Sequence, residues 1–171
     1  MAGFVPDILC LAKGLTGGAI PLAATLATGE IFDAHFSADR TKTFFHSSSY
    51  TANPIACAAA AANLGIWLTE PVLDRLTQLT ELQAEHVKPL RKNRRFTNVR
   101  QIGTITAMDL KVSDAGYLAG IGPKLYERFI ADGILLRPLG NTIYVLPPYC
   151  TAAADLDLIY ASIRDAAAAL A

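Results

Sequence analysis

At 171 residues and 52% hydrophobic content the chain has material for one ordinary domain or two small ones, which excludes a disordered protein. Fifteen basic residues balance fifteen acidic ones, so no net field selects nucleic acid, anionic lipid or an acidic partner, and ligand preference must come from local pockets. Cys10, Cys57 and Cys150 are odd in number, widely spaced and set in apolar stretches, a pattern of small core hydrophobes in a reduced, cytoplasmic setting rather than of a disulfide framework.

The first seven residues carry no basic region, and the apolar run after them is broken by Lys13, which argues against a signal peptide. Residues 8–12 are continuously apolar and predict a strand buried on both faces. Lys13 ends that strand, Gly14-Leu15-Thr16-Gly17-Gly18 follows as a loop, and residues 20–27 read as a second buried strand. A short helix over 30–36 and a polar loop over 37–43 come next. Asn53-Pro54 is a helix start, since asparagine caps free N–H groups and proline loses nothing by lacking one at the first position. That helix should run to Trp67 or Leu68. It is alanine-rich, carries Asn63 and falls short of the roughly 20 residues of a membrane span, so it reads as a buried helix.

Glu70-Pro71 breaks the chain, and Val72, Leu76, Leu79, Leu82 and Val87 recur at helical spacing until the basic cluster over 88–95 ends the helix. Strands are expected over 99–102 and 104–110, joined at Gly103, then a helix over 115–131. Residues 134–137 and 142–146 flank Leu139-Gly140-Asn141 as the two arms of a hairpin. Leu156, Ile159, Tyr160, Ile163, Ala167 and Leu170 form one face of a closing helix. The pattern is α/β: the trailing piece of a larger α/β layer over 1–70, then a small α+β domain over 71–171 that opens with a linking helix over 71–95. The leading piece has too few strands to cover a parallel sheet, and its apolar edges call for a partner surface.

Three groups of residues could carry chemistry. Lys13 ends a strand beside a glycine-rich loop, where a desolvated amine becomes a nucleophile towards aldehydes; a lysine that merely solvates a strand end is the plain alternative. His46-Ser47-Ser48-Ser49-Tyr50-Thr51-Ala52-Asn53-Pro54 runs hydroxyls into a helix N-terminus, which suits a phosphate, or simply caps the helix. Arg137 can clamp a carboxylate with two parallel hydrogen bonds, or face solvent in a hairpin. His35, His46 and His86 are scattered without metal-ligand spacing, so no metal site is expected. His46 itself is expected to pack rather than to catalyse.

The string Pro6-Asp7-Ile8-Leu9-Cys10-Leu11-Ala12-Lys13-Gly14-Leu15-Thr16-Gly17-Gly18, followed by Pro21-Leu22-Ala23-Ala24, closely resembles the cofactor-lysine segment of class III aminotransferases, of the fold-type I class. The resemblance implies that Lys13 holds pyridoxal 5'-phosphate and then shuttles a proton between substrate and cofactor. It carries Ser48 and Ser49 over to phosphate contacts, with Ser49 reaching the cofactor of the neighbouring subunit of a homodimer. Ser47 stands where the family has glycine, beside the path of the substrate. The stretch from Arg137 through Tyr144 to Pro147-Pro148-Tyr149 is similar to the branch that uses S-adenosylmethionine as donor and 8-amino-7-oxononanoate as acceptor. There Arg137 would bind the substrate carboxylate and Tyr144 would line the same pocket. Met108 and Asp109 match a small-domain strand and receive a structural role.

The resemblance covers essentially the whole chain, whereas the chain covers well under half of such an enzyme. The family's aspartate for the pyridine nitrogen, its phosphate-binding turn and its stacking aromatic would precede Lys13. A truncated aminotransferase, a half that pairs with a complementing N-terminal chain, and a non-catalytic dimerisation or binding remnant all fit that pattern. So does another class III enzyme acting on ω-amino acids or diamines.

Overall fold

Proline at 71 offers no N–H to continue a helix and pushes Glu70 into an extended conformation, φ −108° and ψ 154°. The chain divides there into two compact units, Met1–Glu70 and Pro71–Ala171. The computed structural model describes residues 3, 5–46 and 48–170.

In the first unit, β1 (Ile8–Leu11) pairs antiparallel with β2 (Ala24–Ala27), Ile8 lying opposite Ala27 and Leu11 opposite Ala24. A single turn of 3-10 helix, Lys13–Thr16, leaves β1, and Gly17 and Gly18 close it at φ +62° and +85°, conformations that cost glycine nothing. Helix α1 (Gly29–His35) follows, then a loop in which the Asp39 carboxylate accepts from the Thr41 N–H at 3.0 Å and its hydroxyl at 2.8 Å. Helix α2 (Pro54–Thr69) is capped as its sequence dictates: Asn53 Oδ1 accepts from the N–H groups of Ile55 and Ala56 at 3.0 and 3.2 Å.

Several expectations for this unit are overturned. The two strands, which pair antiparallel with each other, are largely exposed within this unit rather than buried on both faces. Strand β2 begins only at Ala24, after Pro21 has removed a donor from the preceding stretch. Helix α2 buries Ala56 alone. Cys10, Cys57 and Cys150 are free thiols and all exposed, so none behaves as a core hydrophobe here. One reason covers the first unit's cases: its elements are apolar on faces against which the unit sets no second layer.

The second unit has a hydrophobic core of its own. Helix α3 (Val72–Leu90) is amphipathic and buries Val72, Leu79, Gln83, Val87 and Leu90. Strands β3 (Phe96–Ile102), β4 (Ile105–Leu110) and β5 (Thr142–Val145) form an antiparallel sheet in the order β3-β4-β5. Gly103 turns the first pair at φ +52°, and a bulge between Thr97 and Arg100 interrupts its register. Helices α4 (Ile121–Ala131) and α5 (Ala153–Leu170) complete a core of Leu79, Val87, Leu90, Met108, Leu110, Leu125, Phe129, Ile143, Leu156 and Tyr160, among others. Full burial of each such side chain is worth about 1.5–3 kcal/mol.

Here too two elements differ from expectation. Helix α4 starts at Ile121 rather than 115, because Gly116 sits at φ +124° and cannot be helical. Residues 134–137 are no strand: Leu136 N–H turns back to the Ile134 carbonyl at 3.1 Å, and β5 takes β4 as its partner instead. Only the tip of the expected hairpin survives, with Leu139 and Thr142 exchanging backbone hydrogen bonds at 2.9 and 3.0 Å.

Candidate functional site

The 3-10 turn after β1 sets Lys13 at the wall of an open cavity of about 900 Å³ within the first unit. Ala12, Pro21, Leu22 and Ala23 supply its apolar lining, and His46, Ser48, Tyr50, Thr51 and Asn53 supply polar groups. Pockets for small molecules run from roughly 300 to 1,000 Å³, so the space suits a cofactor-sized ligand. Lys13 is exposed within this unit.

The lysine loop is tied down by a residue that pattern reading passed over. Asn63 on α2 donates through Nδ2 to the carbonyls of Gly14 and Leu15 at 2.9 and 3.1 Å, and Thr16 donates its hydroxyl to the Ile20 carbonyl at 2.6 Å. Asn63 was legible only as a polar interruption in an alanine-rich helix. A side-chain amide in such a place needs partners, and the lysine loop supplies them.

In the same lining, the Ser48 Oγ accepts from the Tyr50 N–H at 3.3 Å, leaving its own proton to give to an anion. The N–H groups of Ile55 and Ala56, which the sequence suggested for a phosphate, are already taken by Asn53. Hydroxyls, together with the Lys13 amine, are therefore donors this cavity offers an anion. Ser49 is exposed and is not among the lining residues, and Ser47 lies outside the described residues. His46 lines the cavity with its ring stacked on Phe44 at 6.1 Å; it is exposed rather than packed into a core. Ala52, also in the lining, holds φ +55°, a left-handed conformation that disfavours any residue with a Cβ.

Arg137 and Tyr144 belong to the second unit. Arg137 is exposed, and its side chain makes no hydrogen bond or ion pair with a described residue. Tyr144 is half-buried on β5 opposite Ala107, on the face away from Ile143 and Val145. The same face carries Asp109, which accepts from Asn98 Nδ2 at 2.9 Å, Thr142 Oγ1 at 2.9 Å and Arg100 Nη1 at 3.2 Å. Burial works against its charge, but the hydrogen bonds from Asn98, Thr142 and Arg100 and the Arg100 charge outweigh it and hold the carboxyl below the usual aspartate range.

The sequence matches the class-III aminotransferase family over residues 1–167. It is 46% identical over 169 residues to adenosylmethionine-8-amino-7-oxononanoate aminotransferase of Synechococcus elongatus, covering 96% of this chain and 38% of that protein. Identity to the protein of the same name from Geobacter sulfurreducens is 37%, over 92% of this chain and 36% of that one. The chain thus spans well under half the length of the curated relatives it matches. Among solved structures, the adenosylmethionine-8-amino-7-oxononanoate aminotransferase of Methanocaldococcus jannaschii superposes with a TM-score of 0.84 at 33% identity, over 94% of this chain and 39% of that one. An amine transaminase from an uncultivated Pseudomonas species, solved in a PLP-bound form, gives the same score and identity over 99% of this chain and 40% of that one.

Proposed function

Because the chain belongs to the class-III aminotransferase family, we propose that it is the C-terminal part of an enzyme moving an amino group from S-adenosylmethionine to 8-amino-7-oxononanoate, giving 7,8-diaminononanoate. The observation that carries the chemistry is the shared cavity, which sets the Lys13 amine and the Ser48 hydroxyl on one lining. The names of the relatives at 36–46% identity support the substrates.

The residues present fit pyridoxal 5'-phosphate: an amine for its aldehyde, hydroxyls for its phosphate and ample room. When bound, that group supplies an electron sink for the pair released at the substrate carbon. Lys13 holds it and, once freed, takes and returns a proton at Nζ. Ser48 donates its hydroxyl proton to the phosphate. Ser49, exposed and outside the lining of the Lys13 cavity, serves the phosphate of a neighbouring subunit in a homodimer. Ser47 is assigned a contact with substrate by its place in the family motif alone. Arg137 grips the acceptor carboxylate with both prongs of its guanidinium, and Tyr144 lines the same pocket. A cytoplasmic, reducing setting belongs to the same proposal and agrees with three exposed free thiols.

A second reading, transfer from a different amine donor, has support from the equal likeness to the amine transaminase. Offering both donors to the assembled enzyme separates the two. The cofactor role is tested by mixing the chain with pyridoxal phosphate, reducing with borohydride and mapping the labelled peptides. Lys13 should carry the label ahead of every other lysine, and Lys13→Arg should abolish that peak. Even labelling over Lys42, Lys88, Lys92 and Lys124 would remove the case for a formed site.

A further inference from the structure

Among the described residues the Arg137 side chain has no hydrogen-bond or ion-pair partner, yet the turn that follows it is firmly held. Leu139 and Thr142 exchange both backbone hydrogen bonds, at 2.9 and 3.0 Å, and close a two-residue turn at Gly140-Asn141. Asn141 is only 8% exposed. Its carboxamide is used at both ends, Oδ1 accepting from the Gly116 N–H at 2.8 Å and Nδ2 donating to the Leu110 carbonyl at 2.9 Å. Its backbone carbonyl accepts from the Leu110 N–H at 2.8 Å. One residue therefore joins the turn to the end of β4 and to the loop at Gly116. Gly140, at φ +60°, is pressed against that loop so closely that a Cβ there would lie 1.8 Å from the Gly116 carbonyl oxygen.

We infer that Asn141 is a positioning residue: by locking the Gly140-Asn141 turn against β4 and the Gly116 loop, it sets where Arg137 and Tyr144 meet substrate. Arg137 lies two residues before the Leu139–Thr142 pair and Tyr144 two residues after it. Any tilt of the turn therefore moves both. With no hydrogen bond or ion pair to a described residue that could correct such a tilt, the guanidinium is aimed by the backbone that carries it. Asn141 suits the task because a carboxamide can accept and donate at once without carrying charge into a buried site. The inference rests on the proposed carboxylate clamp at Arg137 and assigns to a buried residue a role the pattern of the turn did not reveal.

The test uses an enzyme in which the Synechococcus elongatus relative supplies the part of the chain that precedes this one. Asn141→Ala should raise the KM for the amino-oxononanoate ~10–100-fold, the scale expected when a reacting partner is displaced by about 1 Å. The kcat at saturation and the cofactor absorbance should stay within about two-fold of the parent. Combined with Arg137→Ala, the same substitution should add much less to KM than it does alone, because one of the two groups it aims is gone and only the displacement of Tyr144 remains. Should Asn141→Ala fail to fold, Asn141→Ser keeps an uncharged polar group at the turn while losing the reach of the carboxamide to both partners, and should show a rise in KM with the same reduced additivity. If Arg137→Ala leaves KM unchanged, the clamp reading falls and this inference with it. If Arg137→Ala raises KM while folded Asn141 variants do not, or the two effects multiply, the clamp stands and the positioning role is overturned.

Discussion

Phe36 and Phe129 are the same residue in opposite circumstances. Phe36, just beyond α1 in the first unit, is 74% exposed and stacks at 5.2 Å on Phe32, which is 61% exposed, while Phe129 on α4 in the second is fully buried. Both units are built from sequences of similar apolar character, but only the second arranges its helices against one face of a sheet. Hydrophobic content therefore measures how much surface needs cover, and topology decides whether the cover comes from the same unit.

The sharpest way to break this comparison is to remove the two rings in turn. Phe129→Ala should cost about 3–5 kcal/mol in urea-induced unfolding, the range for deleting a buried ring. Phe36→Ala should stay within roughly 0.5 kcal/mol, as surface changes do. Equal losses would mean that Phe36 packs in solution and that the first unit has a core of its own.

A smaller effect is expected at Tyr160, the polar centre of the second unit. Its hydroxyl donates to Gln83 Oε1 and accepts from the Thr106 hydroxyl at 2.7 Å, while Gln83 Nε2 donates to the Thr104 carbonyl at 2.9 Å. Burial pushes the phenol up to about 12, against the lowering effect of the Thr106 hydrogen bond, so it stays neutral and available as a donor. Tyr160→Phe leaves Gln83 Oε1 buried without its donor and should cost about 1–3 kcal/mol. A neutral result would show that the network is dispensable and that apolar packing alone sustains this unit.

The smallest effect separates two aspartates. Asp109 and Asp39 are both held below the ordinary carboxylate range, the first by hydrogen bonds that outweigh its burial, the second by the Thr41 N–H and hydroxyl. A depressed folded pKa contributes stability that is present above the unfolded value of about 3.9 and is lost as pH falls through the lower folded one. Asp109→Asn should therefore flatten the acid limb of the stability curve below about pH 4, measured by thermal unfolding at stepped pH. Asp39→Asn should leave that limb as it was, since Asp39 is fully exposed in the first unit. The reverse order would place the firmer structure in the first unit.

Local chemistry carried much of this protein into view. Asn53 caps α2, Pro71 separates two helices, Gly103 and Gly140 take left-handed turns, and the α3 and α5 stripes face the core, each because a few neighbouring residues suffice to dictate the geometry. The string around Lys13 likewise pointed to its family without any coordinate. What the tertiary structure alone decided are the long-range partners. The 134–137 arm yields to β4 as the partner of β5, Asn63 reaches back almost fifty residues to the lysine loop, and Asn141 reaches Leu110 and Gly116. Periodicity marks which face of an element is apolar and says nothing about which other element will meet it. A buried amide looks the same in sequence as a turn amide, and only the packed chain shows how many hydrogen bonds it must satisfy.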